Sequence, residues 1–149
     1  MKARTRERLA LYGLGYDNPK QEPIDRTKLG PQVTAYLECA LETVETDPFF
    51  GTHTIDDIHE PSLRQMIRDN VHFYWRNRHT LERLYSEDGY TQRQCGADFW
   101  NARNREPSFA LRGWDNAWDA LNASAVGFGT VTLQQINHQI QMIFKEDMI

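Results

Sequence analysis

The run "HTIDDIH", residues 53–59, places two imidazoles and two carboxylates within one short loop, a set that could coordinate a metal ion or shuttle protons. Its carboxylates are better explained as caps. Asp56 or Asp57 can accept hydrogen bonds from the N–H groups that an adjacent turn leaves unpaired. A second pair, His72 and His79, flanks Trp75, but residues seven apart on a helix lie roughly 10 Å apart along its axis, too far to share one metal ion. No HExxH motif is present. Cys39 and Cys95, the only two cysteines, stand far apart without a CxxC pair, so they read as reduced thiols rather than a disulfide framework or a zinc site. The isolated "GLG" and "GFG" pairs lack the GxGxxG run and the preceding strand that dinucleotide binding requires. No cofactor is expected, and the chain does not read as an enzyme.

The richest stretch is "GADFWNARNREPSFALRGWDNAWDAL", residues 96–121, which holds three of the four tryptophans among arginines and aspartates. Phe99, Trp100, Trp114, Trp118 and Leu121 read as an organising core. Asp98, Arg103 and Asp115 could form a buried ion-pair set beneath the tryptophans, structural rather than reactive.

The elements that must position these residues follow from hydrophobic spacing. Val33, Tyr36, Leu37, Ala40, Leu41 and Val44 predict a helix over 32–46. Cys39 falls off that stripe. Pro61 suits a first helical position, and Leu63, Met66, Ile67, Val71, Tyr74, Leu81, Leu84 and Tyr85 predict a helix over 61–85, roughly 37 Å long. Asn70 and Arg78 interrupt the stripe, so each needs a partner if buried. Gly89 supplies the stop. His72, Trp75 and His79 lie on the far side of this helix, where an aromatic between polar residues reads as a packing site for another segment or as a partner-binding surface. Thr91 can cap a third helix ending near Asn104, with a strand over 98–103 as the alternative because Gly96 weakens the helix. A loop around Pro107 and Gly113 precedes a short helix over 116–126 that buries Ala117, Trp118, Leu121 and Ala125. Runs at 130–135 and 139–144 flank Asn137-His138 as a hairpin without a turn glycine. The fold class is therefore α+β: a predominantly helical single domain of three to four helices with a small C-terminal β-hairpin.

Charge divides the chain. Residues 1–30 carry seven Lys or Arg against four Asp or Glu and read as a basic N-terminal arm before a globular domain over 31–149, which has ten against seventeen. Such an acidic body argues against broad phosphate-backbone binding except through the arm. No apolar run approaches the roughly 18 residues of a membrane span, and no secretory signal is evident, so a cytoplasmic location is expected.

Several pieces resemble a group of small, mostly uncharacterised accessory proteins of tailed bacteriophages: "AYLECAL", "TIDDIHEPSLRQMI", "GADFWNARN", "GWD" and "FGTVTL", in that order over about residues 34–135. The corresponding stretches of that group are AYxECAL, SIDDIxPExL and a GHDFWLTRNGHGAGFWDR-like run. The departure falls at Arg105-Glu106-Pro107-Ser108-Phe109, which replaces a Gly- and His-rich turn. The group has no assigned catalytic residues, so none is carried over. The resemblance implies a phage accessory protein in the cytoplasm of the infected bacterial host that binds, and inhibits, a host protein or complex such as an antiviral defence complex or host enzyme. The alternatives are a nucleotide- or nucleic-acid-binding protein, a small hydrolase using the 53–59 loop, and a minor virion component. The expected partner-binding residues are Arg103, Arg105, Glu106, Phe109 and Arg112 on the departing loop, with His72, Trp75 and His79 as a second surface that could also serve a homo-oligomer.

Overall fold

Helix α1, Pro31–Glu42, begins with proline at its first position, where no N–H is needed, and ends at Thr43. Of the predicted stripe Val33, Tyr36, Leu37 and Ala40 are at 0 % exposure and Val44 is buried, while Leu41 is only partly buried; Gln32 on the flank is buried too. This description comes from a computed structural model and covers residues 23–44 and 53–145. Residues 1–22 of the expected arm, the Asp47-Pro48 and Gly51 turn signals and the last four residues lie outside it. The described end of the arm packs on the body: Asp25 caps a short 3-10 turn, Arg26–Lys28, and Arg26 Nη1 donates to the Ile55 carbonyl at 2.6 Å.

Helix α2, Glu60–Glu87, is the long amphipathic helix that the spacing predicts. The interruptions in its stripe are satisfied as a buried polar group must be. Asn70 donates to the Met66 carbonyl at 2.8 Å and accepts from Gln32 Nε2 at 3.2 Å. Arg78 donates to the Trp75 carbonyl at 3.1 Å. Phe73, outside the predicted stripe, is fully buried. It stacks on Phe99 with centroids 4.3 Å apart and lies 5.8 Å from Phe109, so the apolar face of α2 is wider than the spacing alone indicated. Gly89, at φ +66°, makes the left-handed turn beyond the helix end.

Helix α3, Gln92–Arg103, resolves the helix-or-strand alternative in favour of helix. Thr91 and Gln94 exchange capping contacts, the Gln94 N–H to Thr91 Oγ1 at 3.1 Å and the Thr91 N–H to Gln94 Oε1 at 3.0 Å, a reciprocal box that satisfies two N–H groups at the helix start. Gly96 is the contact point with α1: a Cβ there would stand 2.0 Å from the Gln32 carbonyl oxygen. The glycine that weakens the helix as a sequence thus permits its packing.

Helix α4, Asn116–Val126, starts at Asp115, whose Oδ1 accepts from the Ala117 N–H at 2.9 Å. Ala117, Trp118, Leu121 and Ala125 are buried as expected. Trp114 is not: it is 101 % exposed, which removes it from the predicted core. It stands in the loop after Gly113, before the helical period begins.

Strands β1, Val131–Ile136, and β2, Gln139–Phe144, form an antiparallel hairpin in which Ile136 pairs with Gln139. Asn137 (φ 51°) and His138 (φ 67°) supply the positive φ angles that a two-residue turn needs. The hairpin docks by backbone. The His59 N–H donates to the Ile140 carbonyl at 2.8 Å, and the Met142 N–H donates to Ser62 Oγ at 3.0 Å. Among the described residues no helix is long and apolar enough to cross a membrane.

Candidate functional site: a loop pinned by Asp98

The loop between α3 and α4 is held at both ends and in its middle. At its start Arg103 is fully buried. Its Nη1 donates to Asp69 Oδ2 at 2.8 Å and to the Tyr36 hydroxyl at 3.0 Å, while Nε and Nη2 donate to the Gly129 and Phe128 carbonyls, each at 2.9 Å. The desolvated cation is therefore matched by one carboxylate and three further oxygens, the condition under which a buried ion pair is tolerated. Burial of Tyr36 pushes its phenol up to about 12, against the opposing pull of Arg103.

In the middle, Asp98 is the anchor. Tyr90 Oη donates to Asp98 Oδ2 at 2.5 Å, and Ser108 Oγ donates to Oδ1. Arg112 spans both oxygens, Nε to Oδ2 at 2.5 Å and Nη2 to Oδ1 at 3.2 Å. This two-point geometry fixes the guanidinium as well as pairing its charge, and the hydrogen bond to Asp98 raises the Arg112 pKa. Phe109, at 0 % exposure, plugs the loop into the aromatic core.

Two expected surface residues, Arg103 and Phe109, are thus corrected to buried anchors. Arg103 finds oxygens on α1, on α2 and before β1, and Phe109 finds a ring on α2. Arg105, Glu106 and Arg112 remain exposed on the loop. The expected Asp98, Arg103 and Asp115 set also separates into three pairs: Arg103 with Asp69 at 2.8 Å, Arg112 with Asp98 at 2.5 Å, and Arg83 with Asp115 at 3.7 Å. Beyond the anchors the loop presents Leu111, 76 % exposed, and Trp114. A cavity of about 680 Å³ opens beside them, lined by Tyr90, Asp98, Ser108, Leu111, Arg112 and Trp118 among others.

Asp98 already accepts from three side chains, and Ser108 gives its hydrogen directly to that carboxylate with no imidazole among the described lining residues, unlike a serine nucleophile paired with a histidine base. Burial pushes the Tyr90 phenol well above its usual value and the Cys95 thiol up to about 12, so neither ionises near neutrality. Cys39 is half-buried, its Sγ 3.7 Å from Asn101 Oδ1, and burial, then Glu42, raises its pKa.

The 53–59 set is divided. Asp57 caps its own turn, accepting from the Thr54 N–H at 2.7 Å, and His59 is the N-cap residue of α2. His53 and Asp56 line a different cavity of about 610 Å³ with Arg26 and Leu41. No group of three or more metal-ligating side chains occurs among the described residues. On the far face of α2, His72 and His79 are exposed and Trp75 is half-buried. Trp75 meets the Tyr74 ring edge-on at 5.6 Å and carries the Arg78 guanidinium 5.5 Å above its ring. Comparison with protein families, curated proteins and solved structures returns no match.

The residues of this candidate site that sequence reasoning did not place there are Leu111 and Trp114, displayed by the loop, and Tyr90 and Ser108, which hold it. The available signal was Gly113, which separates Trp114 from the helical period that buries Trp118.

Proposed function

We propose that this protein is a binding protein of the phage accessory kind, acting in the cytoplasm of the infected host by docking on a host protein or protein complex and inhibiting it, an antiviral defence complex or a host enzyme being the kind of target meant. The docking surface is the loop from Arg105 to Trp114. The observation that carries this reading is the full exposure of Trp114 on a loop whose anchors are buried and hydrogen-bonded. A tryptophan in water buries roughly 150–250 Å² when a partner covers it. A loop already held in place loses little freedom on binding, which leaves more of that gain as affinity. Leu111 and the adjacent cavity add an apolar ledge and a recess, and Arg105, Glu106 and Arg112 supply a polar rim of the kind that surrounds interface anchors.

The test is quantitative capture of partners from host lysate by the full chain and by Leu111→Ser/Trp114→Ala. A partner held by the wild type should be lost by the variant with a fall in affinity of about 30-fold or more, equivalent to a hot spot of about 2 kcal/mol. Equal retention of every captured protein by the two forms would remove the loop as the docking surface.

A further inference from the structure

The exposed side of α2 carries a row of arginines and histidines in a protein whose formal net charge is -4. Between residues 60 and 83 there are five arginines and two histidines against three acids, each already engaged: Asp69 is buried on Arg103, Glu60 pairs with Arg64, and Glu82 accepts from the Tyr74 hydroxyl. Arg68, His72, Arg76, His79 and Arg83 follow one another at three- and four-residue steps, so they rise on one face about 6 Å at a time over roughly 22 Å. Trp75 sits within the row. The two ends already hold carboxylates: Arg64 pairs with Glu60 at 3.0 Å, and Arg83 pairs with Asp115 at 3.7 Å. Between them, no carboxylate among the described residues pairs with Arg68, His72, Arg76 or His79.

From this the geometry points to a second recognition surface: the middle of the α2 row receives an acidic helix of a protein partner, its Glu or Asp side chains spaced one turn apart. The step along the row is the step of a helix, so carboxylates at every fourth residue of a partner meet the row one for one. The ion pairs at both ends show the ligand chemistry that the row takes from its own chain. Between residues 29 and 144 every Lys-or-Arg position is arginine, whose planar fork suits carboxylates. Trp75, with Arg78 stacked on it, provides the aromatic centre of the contact. The chain's own first 22 residues are ill matched to this surface, since they carry five basic against three acidic residues. The identity of this occupant as a protein rests on the reading of the molecule as a protein-binding inhibitor.

The test titrates the isotopically labelled full chain with a helical peptide of about 20 residues, some 30 Å long, bearing Glu at every fourth position. A control peptide has Gln at those positions, and single-stranded oligothymidylate of the same charge is a third ligand. The Glu peptide should shift the His72 and His79 resonances saturably and more weakly at higher salt. Arg68→Gln/Arg76→Gln, checked for an unchanged melting curve, should lose affinity about tenfold, while a charge-preserving Arg76→Lys retains most of it. Absence of a saturable shift, or an equal response to the Gln peptide, overturns the proposal. Tighter binding of the oligothymidylate at the same resonances overturns it in favour of a nucleic-acid surface, and a row-dependent dimer by light scattering overturns it in favour of a second copy. Leu111→Ser/Trp114→Ala should leave the peptide titration intact, so failure of the row and failure of the loop are read separately.

Discussion

Removing the Arg103 guanidinium strands the Asp69 carboxylate in a site from which water is excluded, and that penalty exceeds the loss of any single hydrogen bond. Arg103→Met should therefore destabilise the fold by about 3–5 kcal/mol in urea unfolding, and adding Asp69→Asn should recover part of the loss. An increment above 3 kcal/mol that persists in the double variant would assign the cost to packing against Phe99 and Phe128 instead. A second residue-scale prediction concerns alkali. Burial raises Cys95 from 9.0 to about 12 and Tyr36 from 10.0 to about 12, so both groups hold their protons more tightly folded than unfolded. The Cys95 contribution is fully present below pH 9 and is lost as pH rises from about 9 to 12, on the order of 4 kcal/mol, and that of Tyr36 is lost from about 10 to 12, on the order of 3 kcal/mol. The urea midpoint should fall across that window, and Cys95→Ala or Tyr36→Phe should flatten the decline. At this scale the sequence was least informative. Arg103 and Phe109 resemble surface-loop residues because their partners, Asp69, Gly129 and Phe73, come from other segments and no local spacing announces them.

Helix propensity and packing give opposite answers at Gly96, and magnitudes decide between them. Replacing an interior helical glycine by alanine favours the helix by about 1 kcal/mol. The added Cβ, however, would lie 2.0 Å from the Gln32 carbonyl oxygen and 2.9 Å from its carbon, both backbone atoms of α1. Overpacking of a core costs about 1–3 kcal/mol, and more where the obstacle is backbone. Gly96→Ala should thus lower stability by about 2 kcal/mol net or more by chemical denaturation, and a more stable variant would show that α1 and α3 can separate without loss. The elements themselves were largely legible. The predicted 61–85 helix became Glu60–Glu87 because a long apolar stripe with proline at its start and glycine past its end is a strong local signal. The hairpin was legible from two β-rich runs around Asn137-His138, although neither turn residue is glycine. What escaped was the pairing of elements: nothing in the local pattern said that α3 would lie against α1 through a glycine, or that Phe73 would join the core face.

For the whole molecule, the candidate site was legible as a region and not as a list of side chains. The departing loop was identified, but its core and display residues were exchanged, with Trp114 outward and Arg103 and Phe109 inward. Solution fluorescence can verify that exchange. Trp114 should supply the emission component most readily quenched by acrylamide, Trp114→Phe should remove it, and the melting temperature should change little because surface substitutions typically alter stability by no more than about 0.5 kcal/mol. A quenchable component that survives the substitution would place Trp114 under cover. Net charge was similarly coarse, since an acidic total conceals the cationic row on α2. The docking of the hairpin carries a further consequence, for the order in which the chain can assemble. Ser62 accepts its hydrogen bond from Met142, 80 positions later, and Ile58 bridges to Ile140. A chain emerging from the ribosome can therefore wind all four helices before the strand that completes the start of α2 has been made. Contacts of such long separation form late because the intervening chain must first be closed into a loop. A nascent chain arrested before β2 should be collapsed and helical yet readily cleaved near Ile58, and protection of that site should arrive only when the hairpin does.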